Sequence, residues 1–108
     1  MGCPVKIKRQ IGIAVEELYV NIARYAYAPE TGPVTVKIRE TEQHAVEVTL
    51  IDSGVPYDPL QKPDPDFSLS LEDRPIGGMG IYMVKKSMDE ITYERSEGQN
   101  ILRIVKKI

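Results

Sequence analysis

Residues 45–58 read AVEVTLIDSGVPYD, and this stretch decides how the rest of the chain is organised. Val46, Val48 and Leu50 fall on one side of an extended backbone and Glu47 and Thr49 on the other, the two-residue period of a half-buried strand, until Ile51 makes both faces apolar. Asp52 then puts a carboxylate at the apolar end of the strand, and Ser53-Gly54 turns the chain at once. A charge in such a place wants a donor. The exocyclic amine of adenine is one, and Gly54 would let a flat base approach the backbone closely. An aspartate capping its own turn is the other reading, and on these residues alone the two weigh about equally.

On the N-terminal side, Val34, Val36 and Ile38 alternate with Thr35, Lys37 and Arg39 as a second half-buried strand, joined to the first by a turn near Glu42 and Gln43. The two should form a hairpin. Before them, Ile11, Ala14, Val15, Leu18, Ile22, Tyr25 and Ala26 recur at spacings of three and four between Lys8 and Tyr27, the period of an amphipathic helix, which Pro29, Gly32 and Pro33 stop. On the C-terminal side, residues 53–76 hold most of the prolines and no sustained period, and a loop of that length is usually a lid or a binding loop. Gly77-Gly78-Met79-Gly80 then opens a helix through about Met88, with Ile81, Val84 and Met88 on its buried face. Strands over Glu90–Arg95 and Asn100–Ile108, joined by a turn at Glu97-Gly98-Gln99, complete the chain. The sum is an α+β fold, a two-layer sandwich with an antiparallel or mixed sheet and helices on one face.

All 108 residues fit one domain, residues 1–108, with a lid over about 53–77. A net charge of -2 gives no field for holding a polyanion, so no nucleic acid is expected as a partner. No apolar run approaches the roughly 18 residues of a membrane span, and no membrane contact is expected. Cys3 is the single cysteine and His44 the single histidine, so neither an internal disulfide nor a Cys/His metal cluster is available, and a cytoplasmic setting fits best. His44 reads as a solvated hairpin-turn residue, and Met79, Met83 and Met88 as packing.

Two further elements could carry chemistry. Glu17 and Asn21 stand four apart on the first helix and project together, with Arg24 three residues on along the same stripe. The asparagine could offer an uncharged oxygen to a hard cation such as Mg²⁺, and the glutamate could accept a proton from an attacking hydroxyl or water. Alone, the pair fits a solvated helix face better. The glycines at a helix start favour phosphate, through exposed amides and the helix dipole, but also fit a simple hinge. The Walker pattern Gly-x-x-x-x-Gly-Lys-Ser/Thr and an early dinucleotide fingerprint are both absent.

In this order, with a long lid between the second and third elements, the chain resembles the gyrase, heat-shock chaperone and histidine kinase superfamily of Bergerat ATPases. Within it, EELYVNIARYAY (16–27), DSGVPYDP (52–59) and RPIGGMGIYMVKKSMDEITYER (74–95) look like the bacterial anti-sigma-factor serine kinases, over about residue 8 to the C-terminus. The resemblance implies ATP with Mg²⁺, held by Asn21, and Glu17 as catalytic base. It puts adenine recognition on Asp52 with Gly54 beside it, places Asp58 and Met79 in the same pocket, and turns Gly78 and Gly80 toward the phosphates. Arg74, from the lid, would reach the terminal phosphate. Asn100 stands where related chains often carry a threonine that supports adenine through water, and an asparagine makes similar bonds.

The implied activity is transfer of the ATP terminal phosphate to a serine of an anti-sigma-factor antagonist, in a partner-switching system that also sequesters a sigma factor. A non-catalytic, nucleotide-responsive module that occupies a regulator is the alternative. The catalytic half of a histidine kinase fits less well, since no dimerisation helix or phosphoacceptor histidine precedes the domain. Family members begin with a further strand and helix that this chain is expected to lack; either it is a truncated product, or the surface those elements would cover is buried by a second copy in a homodimer.

Overall fold

The computed structural model describes residues 4–27, 32–61 and 79–108. In chain order these form α1 (Val5–Asn21), a π-helical extension (Ile22–Tyr27), β1 (Val34–Glu40), β2 (Ala45–Asp52), a 3-10 turn (Pro59–Gln61), α2 (Met79–Ser87), β3 (Glu90–Ser96) and β4 (Gln99–Lys107). The strands make one sheet in the order β1-β2-β4-β3, and every neighbouring pair is antiparallel. With two helices packed on one face, this is the α+β sandwich expected from the sequence, and its sheet is antiparallel rather than mixed.

Register decides which side chains meet. Val48 lies opposite Ile38 on β1 and Ile104 on β4, and Leu50 opposite Val36 and Leu102, so these residues share the helix-facing side. Ala14, Leu18 and Ile22 from the first helix and Ile81, Val84 and Met88 from and just after α2 close over Val48, Leu50, Leu102 and Ile104 to form the core. Burying a Leu or Ile side chain contributes about 1.5–3 kcal/mol, which is why the three- and four-residue spacing of α1 was a sound guide to its inward face.

The opposite face of the sheet carries charge. Arg39 on β1 and Arg103 on β4 flank Glu47 on β2, both reaching its Oε2, at 3.1 and 3.2 Å.

Turn chemistry explains the hairpins. Glu97 and Gly98 have φ values of 51° and 77°, the two consecutive left-handed residues of a type I′ turn, whose twist matches that of paired strands. The β1–β2 connection ends on His44, also left-handed at φ 57°. Two expectations need adjusting. On edge strand β1, Val36 and Ile38 are 43 % and 60 % exposed rather than half-buried, because neither helix extends over that edge. Met88 packs in the core, whereas Met83 on α2 is 56 % exposed and not a core residue.

Candidate functional site

The first half of the site is built by the helices. Asn21 closes the last turn of α1 and is buried; its Nδ2 donates to the Glu17 carbonyl at 2.8 Å and to Glu17 Oε1 at 2.9 Å. Both amide hydrogens are thereby directed back along α1, which orients the Asn21 oxygen away from Glu17. Glu17 in turn lies against the first turn of α2: a Cβ built on Gly80 would overlap the Glu17 carboxylate and approach its Cγ to 2.7 Å. Gly80 therefore makes room for Glu17, a role the sequence reading, which turned this glycine only toward phosphate, had not given it. Gln10, Ile13, Ala14, Glu17, Gly80, Met83, Val84 and Ser87 line a groove of about 360 Å³ between the two helices, so the carboxylate borders a space open to a second molecule.

The second half is built by the sheet. Asp52 ends central strand β2 and is only 2 % exposed. Its Oδ1 accepts from the Gly54 amide at 2.9 Å and from Asn100 Nδ2 at 2.9 Å, and among the described residues no donor reaches Oδ2. The turn-capping reading of Asp52 is met by Oδ1, and Oδ2 remains as an acceptor that these two bonds leave unused. A buried carboxylate with an unfilled acceptor favours a ligand that brings its own N–H.

Between the halves runs the π-helical segment, where the chain winds wider after Asn21. Such turns often occur at functional sites. Here the segment brings Ala26 onto the strand-end turn: the Val55 amide donates to the Ala26 carbonyl at 3.0 Å, and a Cβ on Gly54 would stand 2.5 Å from that same oxygen. Gly54 is needed for this backbone approach. Arg95 Nη1 donates to the Gly54 carbonyl at 2.8 Å, and the Tyr27 hydroxyl accepts from the Ser53 amide and donates to the Pro33 carbonyl. Tyr25 stacks on Tyr57 with ring centroids 4.9 Å apart.

Glu17, Asn21 and Gly80 are thus gathered at the helices, and Asp52, Gly54 and Asn100 at the end of the sheet. Asp58 serves locally, its Oδ1 accepting from the Leu60 amide at 2.9 Å as the cap of the 3-10 turn. Arg74 and Gly78 lie outside the described residues, and Met79 is described only as the first residue of α2. Tyr27, Tyr93, Tyr57 and Arg95 were missed as supports. A tyrosine in an apolar strand position, such as Tyr93, is indistinguishable in sequence from a core aromatic, and only its hydroxyl hinted at a polar partner. Among the described residues no three His, Cys, Asp or Glu side chains stand together as a metal cage. An uncharged asparagine oxygen is a suitable ligand for Mg²⁺, which keeps several waters and takes few protein ligands, so Asn21 is a residue that fits that ion. Among the described residues no helix is long and apolar enough to cross a membrane.

Comparison with known proteins bears on the family and the fold. A sequence model of the histidine kinase-like ATPase domain matches residues 1–106. The chain is 27% identical over 100 residues to the serine/threonine-protein kinase BtrW of Bordetella bronchiseptica, covering 92% of this chain and 70% of that one. It is 31% identical over 94 residues to the serine-protein kinase RsbW of Bacillus cereus, covering 83% of this chain and 58% of that one. The chain therefore spans somewhat more than half to about two thirds of these relatives. Among solved structures, the histidine kinase domain of the blue-light activated histidine kinase of Erythrobacter litoralis EL346 superposes with a TM-score of 0.64 at 19% identity, over 95% of this chain and 45% of that one. The histidine kinase AdeS of Acinetobacter baumannii gives 0.59 at 20% identity, over 92% of this chain and 46% of that one. At such identities the superpositions speak for the fold alone.

Proposed function

Because the chain belongs to the histidine kinase-like ATPase domain family, we propose that it binds ATP and acts as a serine protein kinase of the anti-sigma-factor type. Its substrate would be a serine of an anti-sigma-factor antagonist, and its second partner a sigma factor, in cytoplasmic control of transcription. The names of the relatives RsbW and BtrW, both protein kinases, support the reaction class. The observation that carries the reading is the Glu17–Asn21 couple, a carboxylate held by an amide and bordering a groove, one turn from the oxygen suited to Mg²⁺.

In this mechanism Asp52 accepts the exocyclic amine of adenine through Oδ2, with the Gly54 turn against one face of the base. Mg²⁺, when bound beside Asn21, supplies charge neutralisation along the phosphate chain. Glu17 takes the proton of the substrate serine as its oxygen forms the bond to the terminal phosphorus; the bond to the bridging oxygen breaks, and ADP leaves. Arg74 is proposed to neutralise charge developing on the transferred group. Catalysis of this kind is mainly positioning and electrostatics. A homodimer, joined where edge strand β1 leaves Val36 and Ile38 uncovered, belongs to the same proposal.

The test is incubation with labelled ATP, Mg²⁺ and a candidate antagonist. Wild-type protein should place label on a serine, and Glu17→Ala should abolish transfer while sparing ATP binding. Undiminished transfer in Glu17→Ala removes the base role, and nucleotide binding without transfer to any protein favours the non-catalytic module.

A further inference from the structure

Asn100 lies on the helix-facing side of β4, directly opposite Asp52, and is 1 % exposed. Its side chain makes four hydrogen bonds. Nδ2 donates to Asp52 Oδ1 at 2.9 Å and to the Val55 carbonyl at 2.8 Å, while Oδ1 accepts from the Tyr57 amide at 3.2 Å and from the Tyr93 hydroxyl. A carboxamide has two hydrogens to give and two lone pairs to receive. All four are engaged within the protein, so a nucleotide, or a water bridging to one, finds nothing left on this side chain. The orientation is also fixed: exchanging nitrogen and oxygen would set an N–H against the Tyr57 amide and an oxygen against the Asp52 carboxylate.

We infer that Asn100 is a positioning residue that determines base specificity through Asp52 without touching the base. By occupying Oδ1 together with the Gly54 amide, it turns Asp52 so that Oδ2 alone meets the ligand, as a pure acceptor. A base with an exocyclic amine is accepted there; one with a carbonyl at that point sets oxygen against oxygen. The same amide clamps the loop after Asp52 at Val55 and Tyr57, so the wall of the pocket and its recognition atom are fixed by one group. This replaces the water-mediated contact expected of Asn100 from sequence, and it rests on the reading of Asp52 as the base-reading residue. Other polar groups at the site are the Tyr93 hydroxyl and Arg95, which lies opposite Asn100 in register and is bonded to the Gly54 carbonyl.

The test uses Asn100→Thr and Asn100→Val, two strand-compatible side chains of the same shape, of which only threonine keeps a donor within cross-strand reach of Asp52. Binding of ATP and of ITP, which carries a carbonyl in place of the amine, is measured by calorimetry with Mg²⁺ at one pH on each folded protein. Wild type should prefer ATP. N100T should keep that preference within about threefold, and N100V should lose roughly tenfold of it, the weight of one hydrogen bond to a charged group. A purely structural role lowers binding of both nucleotides together and leaves their ratio unchanged. A wild-type ratio in N100V, or equal loss in both variants, overturns the inference. If N100V lacks native circular dichroism, Tyr93→Phe, which removes only one donor to Asn100, is read the same way: a few-fold fall in the ratio supports the inference and an unchanged ratio overturns it. Equal binding of ATP and ITP by the wild type instead removes the role of Asp52 itself, and the inference with it.

Discussion

The Glu17 carboxylate occupies the space that a side chain at residue 80 would fill, so the carboxylate, from the fourth turn of α1, lies against the first turn of α2 only because Gly80 has no Cβ. The two residues lie far apart in sequence, and their contact fixes where a carboxylate meets the inter-helix groove.

Gly80→Ala should separate stability from activity. In a helix, alanine is favoured over glycine by about 1 kcal/mol. The obstructing atoms here are the far end of a flexible side chain, which swings away rather than unpacking the helices. Unfolding free energy should therefore stay within about 1 kcal/mol of wild type, while phosphoryl transfer falls on the order of 10²-fold or more as Glu17 leaves Asn21. Denaturant melts and labelled-ATP assays check the two together.

Gly54→Ala should behave differently, because its obstruction is backbone. The new methyl would meet the Ala26 carbonyl oxygen at 2.5 Å and Ala26 Cβ at 2.9 Å, and neither yields without moving the π-helical turn. The expected outcome is a loss of about 1–3 kcal/mol in stability, with ATP affinity falling in parallel. Thermal unfolding with and without nucleotide measures both.

The Arg39–Glu47 pair predicts the acid response of the sheet. The hydrogen bond and charge of Arg39, with Arg103 beside it, hold the Glu47 carboxyl below the usual glutamate range. A lowered folded value means that the pair's contribution is fully present above the ordinary glutamate pKa of about 4.3 and is lost as pH falls through the folded value. Glu47→Gln should therefore be less stable than wild type near neutrality, with the difference closing in acid. High salt should shrink it, since Arg39 is 68 % exposed. Urea melts across pH 3–7 on the order of unit steps follow this directly.

If the homodimer forms through β1, Ile38→Lys should shift the protein toward monomer, because a lysine on an edge strand discourages pairing. Sedimentation at several concentrations reads the change. A wild-type chain that stays monomeric at high concentration removes the dimer.

Much of this arrangement was legible in the sequence because its signals are local. The alternation of Val46, Val48 and Leu50 places β2, the spacing of Ala14, Leu18 and Ile22 gives the inward face of α1, and Glu97-Gly98 marks the β3–β4 hairpin; each depends on a few neighbouring residues and the period of one backbone conformation. The same local patterns brought Glu17, Asn21, Asp52 and Gly54 forward as candidates, and the likeness of three short strings to one family joined them into a site.

The tertiary structure alone decided what those residues touch. That Asn100 faces Asp52 is a matter of register between β2 and β4, that Gly80 shelters Glu17 is a matter of how two helices dock, and that Ala26 meets Gly54 follows from the widened π turn. Exposure of Val36 and Met83 was likewise invisible, since an apolar residue in periodic position signals a face but not whether anything covers it. Sequence by itself determined the elements and the chemical groups they carry, because backbone periodicity is a short-range property. Packing decided which groups share space, and so engaged the Asn100 side chain with Asp52, Val55, Tyr57 and Tyr93.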